Sequence, residues 1–199
     1  MVSEGSKTEP KYFDEIRTML RLPTANITTV PGGYGTSPLQ VVEYAKDVFV
    51  KGFEEKRIQP KGFEKVFAVF DRDEHTNYHQ ALDRADSYNR KRIRNDENRA
   101  IEFKFIATVP CFELWLLMHF EQPKSPMHRE AVYKRLKFHI PQYNKGADGH
   151  FHDTKEMLTT AVNHAQNLSS QTNAWDGVES YTNIHELVKL LLNLKTVQL

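Results

Sequence analysis

Lys65-Val66-Phe67-Ala68-Val69-Phe70-Asp71-Arg72-Asp73-Glu74-His75 runs from almost unbroken apolar residues straight into a cluster of charge. A short apolar run without alternation suits a strand covered on both faces, and such strands belong to parallel sheets clothed by helices. The flanking sequence fits that sheet. Upstream lies a helix over residues 37–57, opened by Ser37-Pro38. Before it come a glycine-rich loop over 31–36 and a β-branched segment over 26–30. Earlier still, a helix opened by Thr8, Glu9 and Pro10 carries Tyr12, Phe13, Ile16, Met19 and Leu20 at helical spacing, after a stub of strand at 1–3. Downstream, a helix over about 76–94 leads to a strand over 102–108. Strand and helix alternating at this spacing predict an α/β fold with a mostly parallel sheet flanked by helices. After Pro110 the pattern turns helical, over 111–120, 129–138, 153–168 and 182–194, with Asp153 and Glu156 spaced as a capping box. The expected organisation is an α/β core over 1–110 and a helical half over 111–199, sharing one core as effectively one domain.

Composition narrows the function classes. The 199 residues are 39% hydrophobic and 27% charged with 9 Gly and 9 Pro, which argues against disordered and fibrous classes. Cys111 is the only cysteine, so an intrachain disulfide and a cysteine-built zinc site are excluded. No apolar run reaches the roughly 18–20 residues that span a bilayer. The opening MVSEGSKTEP lacks a basic region followed by an apolar stretch, so no membrane association and a cytoplasmic location are expected. With 27 Lys+Arg against 26 Asp+Glu, any contact with nucleic acid must come from a local patch. The densest is Arg90-Lys91-Arg92-Ile93-Arg94, which reads either as a track for a phosphate backbone or as the solvated face of a helix.

Functional residues of open parallel sheets lie just beyond the carboxyl ends of the strands. Glu4 and the pair Asp71 and Asp73 obey that rule. In an extended segment residues i and i+2 point the same way, so Asp71 and Asp73 can present two carboxylates to one point. A cation between them would offset their repulsion, and oxygen-only ligation suits Mg²⁺ or Mn²⁺. The competing reading is a solvated acidic turn. Glu113 stands in Pro110-Cys111-Phe112-Glu113-Leu114-Trp115-Leu116-Leu117, with Val109, Pro110, Leu116 and Leu117 as its helical neighbours. A carboxylate there needs a cation, a hydrogen bond or a proton. It is either half of a buried pair with Lys or Arg or a further ligand aimed at the metal. Gly32-Gly33-Tyr34-Gly35-Thr36 lacks the endings of known phosphate loops and reads as a flexible rim. His75 can border the metal site by adjacency to Asp73. His150-Phe151-His152-Asp153 lacks the second half of a metallo-hydrolase signature and reads as a loop into a cap, and the setting of Cys111 suits packing more than nucleophilic attack.

Several of these stretches together resemble the RloB-like family, whose members carry a Toprim-type domain. Glu4-Gly5-Ser6-Lys7-Thr8-Glu9-Pro10-Lys11-Tyr12-Phe13 is similar to the family's EGxxTExxYF opening, and Phe70-Asp71-Arg72-Asp73-Glu74-His75 to its DxD segment. The block from Val109 to Glu121, VPCFELWLLMHFE, is the most recognisable match, with weaker ones at Tyr143-Asn144-Lys145, residues 161–168 and residues 181–188. Only Met1-Val2-Ser3 precede Glu4, where family members have several apolar residues of first strand. The resemblance implies a Toprim-like sheet with a helical C-terminal half and a site of one Glu and a DxD with Mg²⁺. By position, Glu4 is implied as the Toprim glutamate and Asp71 and Asp73 as the metal pair. Glu113 is implied as a further catalytic and metal-binding candidate and Lys145 as a phosphate-facing cation. It also implies bacterial restriction loci, abortive anti-phage defence and an ATPase partner encoded nearby.

Two functions follow as expectations. The first is a metal-dependent nuclease cleaving phosphodiesters of RNA, tRNA among the candidates, or of DNA, in which Arg90, Lys91, Arg92 and Arg94 steer the backbone. The second is a non-catalytic nucleotide- or metal-binding regulatory subunit of an ATPase-containing defence complex. A homodimer is compatible with both, and a primase-like polymerase lacks room for further modules in 199 residues.

Overall fold

The computed structural model describes residues 1–5, 7–176 and 180–196. Five strands, β1 (Val2–Ser3), β2 (Thr28–Thr29), β3 (Lys65–Asp71), β4 (Glu102–Val109) and β5 (Tyr181–Thr182), form one sheet in the order β2-β1-β3-β4-β5. The helices are α1 (Thr8–Leu20), α2 (Pro38–Lys51), α3 (Tyr78–Arg90), α4 (Glu113–Leu117), α5 (Arg129–His139), α6 (His150–Thr154), α7 (Leu158–Ser169) and α8 (Ile184–Thr196). The chain is α/β, with a mostly parallel sheet flanked by helices. β1 runs parallel to both neighbours, Val2 standing opposite Thr28 and Ala68, and Ser3 opposite Thr29 and Val69. Two residues thus suffice for a central strand, and both are buried. β5 is antiparallel, with Thr182 opposite Thr108. In a doubly wound order of this kind the direction of winding reverses between β1 and β3, and functional groups gather beyond the carboxyl ends of those strands.

The chain gathers into two compact units. The first holds residues 1–5, 26–70 and 74–106. Here β3 is buried from Val66 onward, as its lack of alternation requires. Ser37 starts α2 with a reciprocal cap, its N–H donating to Gln40 Oε1 at 3.1 Å. The helix ends at Lys51, before Gly52 at φ 77, a backbone conformation open to glycine, so the helix expected to reach residue 57 stops a turn and a half early. Tyr88 of α3 donates to Glu43 of α2 at 2.6 Å, and Arg84 pairs with Glu43 at 2.7 Å.

The second unit holds residues 6–25, 71–73 and 107–199. Its core is aromatic. Tyr12 meets Phe13, Phe112 and Phe151 edge-to-face at ring separations of 5.6, 5.5 and 5.5 Å, and Trp115 at 6.4 Å. The helix expected from residue 153 instead begins at His150, because Glu15 accepts the backbone N–H groups of Gly149, Phe151 and His152 at 2.7, 3.0 and 3.2 Å. Asp153 therefore lies inside α6 and caps nothing at the start of α7. Thr182, expected to open the last helix, instead belongs with Tyr181 to β5, before α8 starts.

Candidate functional site

In the first unit, Glu4 follows β1 directly and donates its N–H to Val69 O at 2.9 Å. This bond continues the β1–β3 ladder and fixes the backbone from which the carboxylate projects. Its Oε1 lies 3.1 Å from His75 Nε2. The basic stretch after α3 does not form one helical face. Arg90 ends α3 paired to Asp86 at 3.2 Å, Arg92 turns left-handed at φ 49, and Arg94 donates to Asn98 O. Lys91 and Arg92 are exposed.

In the second unit the remaining carboxylates converge with cations and phenols. Asp71, the last residue of β3, is buried, and its Oδ2 accepts the Phe112 N–H at 3.0 Å. Asp73 lies past the strand at φ 41, in the left-handed region that Asp tolerates better than most residues. Its N–H donates to Pro110 O at 3.1 Å. The strand alternation that would aim Asp71 and Asp73 the same way therefore ends at Asp71, and a turn sets the direction of Asp73. Asp73 Oδ1 pairs with Arg129 Nη1 at 3.0 Å without the alignment of a hydrogen bond.

Glu113 begins α4 with 0% of its surface exposed. Oε1 accepts the Tyr143 hydroxyl at 2.7 Å and lies 3.9 Å from Lys145 Nζ, while Oε2 is buried with no hydrogen bond. An unmade bond on a buried charged oxygen is a costly feature for a fold to retain. Burial, and then the charge of Glu113, push the Tyr143 phenol far up, so it stays a donor. The same two causes push Tyr133 up to about 12. For Lys145, burial works to lower the pKa, but the attraction of Glu113 holds it above the ordinary value. Arg129 behaves alike: burial opposes its charge, and Tyr133 and then Asp73 more than offset that.

Glu9, in the first turn of α1, is also buried. Burial, and then the charge of Glu113, hold its carboxyl above the usual range, and Lys145 and Asp73 are within electrostatic reach. Burial first, then Glu113 and Asp71, push the Cys111 thiol far up, which disfavours the thiolate that nucleophilic attack needs.

The second unit thus brings together Asp71, Asp73, Glu113 and Lys145. It adds four residues that the sequence does not mark as site candidates: Glu9, Arg129, Tyr133 and Tyr143, although Glu9 and Tyr143 stand in stretches that resemble the family. Glu9 was open to the argument applied to Glu113, since it shares a helical face with Tyr12 and Phe13. Arg129 and Tyr133 carry no such mark, because the carboxylates they meet come from distant segments, and Tyr143 is marked only by its place in the Tyr143-Asn144-Lys145 match.

The donor set consists of hard oxygens, which fits Mg²⁺ or Mn²⁺ and not a softer metal. Among the described residues no three His, Cys, Asp or Glu side chains are gathered to hold a metal as they stand. Mg²⁺ commonly takes only one or two carboxylates and keeps its waters, so the set remains compatible with that ion. Asp73 and Glu113 would exchange part of their contact with Arg129 and Lys145 for it. Those two cations also suit a bound phosphate.

An α/β chain with a doubly wound sheet order and carboxylates at the ends of β1 and β3 is the class of protein that fold and residues define. This chain belongs to the family of RloB-like proteins, whose model matches residues 1–191. No curated protein and no solved structure matches it. No helix of the described residues is long and apolar enough to cross a membrane.

Proposed function

We propose that this RloB-like protein is a Toprim-type, metal-dependent nuclease of bacterial anti-phage defence, cleaving phosphodiesters in RNA, tRNA among the candidates, or in DNA. The observation that carries this reading is Glu113, a fully buried carboxylate with one oxygen unbonded, in the same unit as Asp71 and Asp73. Asp71, Asp73 and Glu113 would hold Mg²⁺ or Mn²⁺. The bound ion would stabilise charge on the scissile phosphate and lower the pKa of the attacking water. Arg129 and Lys145 bind the phosphate oxygens, and the Tyr143 hydroxyl keeps Glu113 oriented. Glu4 is assigned a catalytic and metal-binding role by resemblance, with His75 as its hydrogen-bonding neighbour, and Glu4→Gln tests that role separately. Arg90, Lys91, Arg92 and Arg94 steer the polyanion. The family's association with an ATPase partner and a cytoplasmic setting fits an effector released by a trigger.

The test is cleavage of supercoiled DNA, single-stranded DNA and total tRNA with Mg²⁺ and then Mn²⁺, alongside Asp71→Ala. The wild type cuts at least one substrate, and the variant loses at least 100-fold in rate, about 3 kcal/mol of transition-state stabilisation. Equal rates in both proteins remove the proposal.

A second reading has its own support. Arg129 on Asp73 and Lys145 near Glu113 already supply cations to the carboxylates, which suits a subunit that binds nucleotide or metal and acts through its ATPase partner. Mn²⁺ binding without cleavage, with the ATPase present, selects it.

A further inference from the structure

We infer that α5 is the track on which a single strand of nucleic acid enters the carboxylate site, with an unpaired base stacked on Phe138. The inference names the substrate form for the nuclease reading and rests on it. Phe138 is 73% exposed, far more than the other exposed large apolar side chains among the described residues, Met19, Trp175 and Tyr34. A lone exposed apolar residue needs no explanation. This one sits at the outer end of a helix whose inner end is at the site.

Residues four apart form ridges along a helix. One ridge of α5 is Arg129, Tyr133 and Lys137; the next is Glu130, Lys134 and Phe138. Arg129 is paired to Asp73 at 3.0 Å and lies over the Tyr133 ring at 5.8 Å. The first ridge therefore starts at a carboxylate of the site and leads outward through a phenol to an exposed lysine. On the second, Lys134 and Phe138 are exposed side by side, and among the described residues neither Lys134 nor Lys137 is ion-paired. Glu130 heads that ridge and disfavours phosphate there, which leaves Lys134 and Lys137 as the phosphate contacts.

The outer end is tied to its surroundings through two neighbours of Phe138. Arg135 forks onto Glu121 and lies 5.8 Å from the Phe138 ring, and His139 stacks on Phe120 at 4.9 Å. An exposed ring beside cations is what base stacking with phosphate contact requires. Nine residues of helix rise about 13–14 Å, room for on the order of four nucleotides at about 3.4 Å each. A duplex hides its base faces from such a ring, so the occupant is a single strand. An acidic peptide would satisfy the lysines but offer Phe138 no stacked plane.

The test is fluorescence anisotropy with a labelled oligouridylate and the matching oligothymidylate, in EDTA so that nothing is cut. Binding by the wild type is expected, with Phe138→Ala weakening it about tenfold. Lys134→Gln/Lys137→Gln is expected to lower the slope of log K against log salt by about 1.4, at about 0.7 per phosphate contact on a single strand. All five positions changed in these and in the control variant Lys91→Gln/Arg92→Gln are exposed, and circular dichroism confirms the fold. The inference is overturned if the wild type does not bind, if both variants bind with the wild-type affinity and slope, or if only Lys91→Gln/Arg92→Gln loses binding. Binding through α5 without cleavage in Mg²⁺ or Mn²⁺ would remove the nuclease reading alone. Cleavage that is indifferent to α5 would remove this inference alone.

Discussion

In the proposed site, Glu113 sets function against stability within one side chain. Its Oε1 is satisfied by Tyr143, yet its Oε2 is buried without a hydrogen bond. Replacing a buried charged group by a neutral one of its shape is often neutral or stabilising when the partners can adapt. Glu113→Gln keeps a carbonyl for Tyr143 and removes the charge. We expect its unfolding free energy in urea to stay within about 1 kcal/mol of the wild type or to rise, while metal-dependent cleavage is lost. A loss of about 3 kcal/mol or more would make Glu113 the structural partner of Lys145 instead. The sequence exposed Glu113 because every helical neighbour is apolar. It could not expose Arg129, which lies between His128 and Glu130 in a polar stretch and gains its role only by meeting Asp73 across 56 positions of chain.

Among elements, those whose local pattern matches their tertiary setting were legible. β3 is apolar on both faces because it is covered on both, and α1 shows Tyr12, Phe13 and Ile16 at the spacing of its buried face. Where another segment decides the boundary, local pattern misleads. β5 has two residues and exists through its pairing with Thr108 and Val109. α6 starts at His150 because Glu15, 134 residues from Gly149, supplies the cap that nearby Asp153 was expected to provide. Three N–H groups on one carboxylate form charge-assisted bonds at a helix N-terminus, where negative charge is favoured. Glu15→Ala should therefore cost about 2 kcal/mol in urea unfolding, near the upper range for the loss of a cap. Asp153→Ala should stay within about 0.5 kcal/mol, as surface changes usually do. Equal effects of the two variants would mean that Glu15 is not the cap.

For the whole molecule, the composition of the two units governs how the chain can be divided. The change from alternating to purely helical pattern at Pro110 suggests a cut there. The second unit, however, also takes residues 6–25 and 71–73 from the N-terminal half. Its aromatic core needs α1, because Tyr12 and Phe13 are fully buried and Tyr12 touches Phe112, Trp115 and Phe151. A fragment of residues 111–199 would lose both rings, each worth on the order of 3–5 kcal/mol when removed from a core. That approaches the total stability of a domain of ordinary size. A fragment of residues 1–110 would carry the same apolar face of α1 uncovered, a patch prone to association. Expressed separately, both pieces should lack a cooperative thermal transition, and mixing them should restore one. If residues 111–199 alone melt cooperatively with dispersed amide resonances, the helical half has its own core and α1 is dispensable to it. The expected failure has a physical cause: an α-helix that follows Glu4 by a few residues packs with segments that begin a hundred residues later, and no cut at a compositional boundary can respect that.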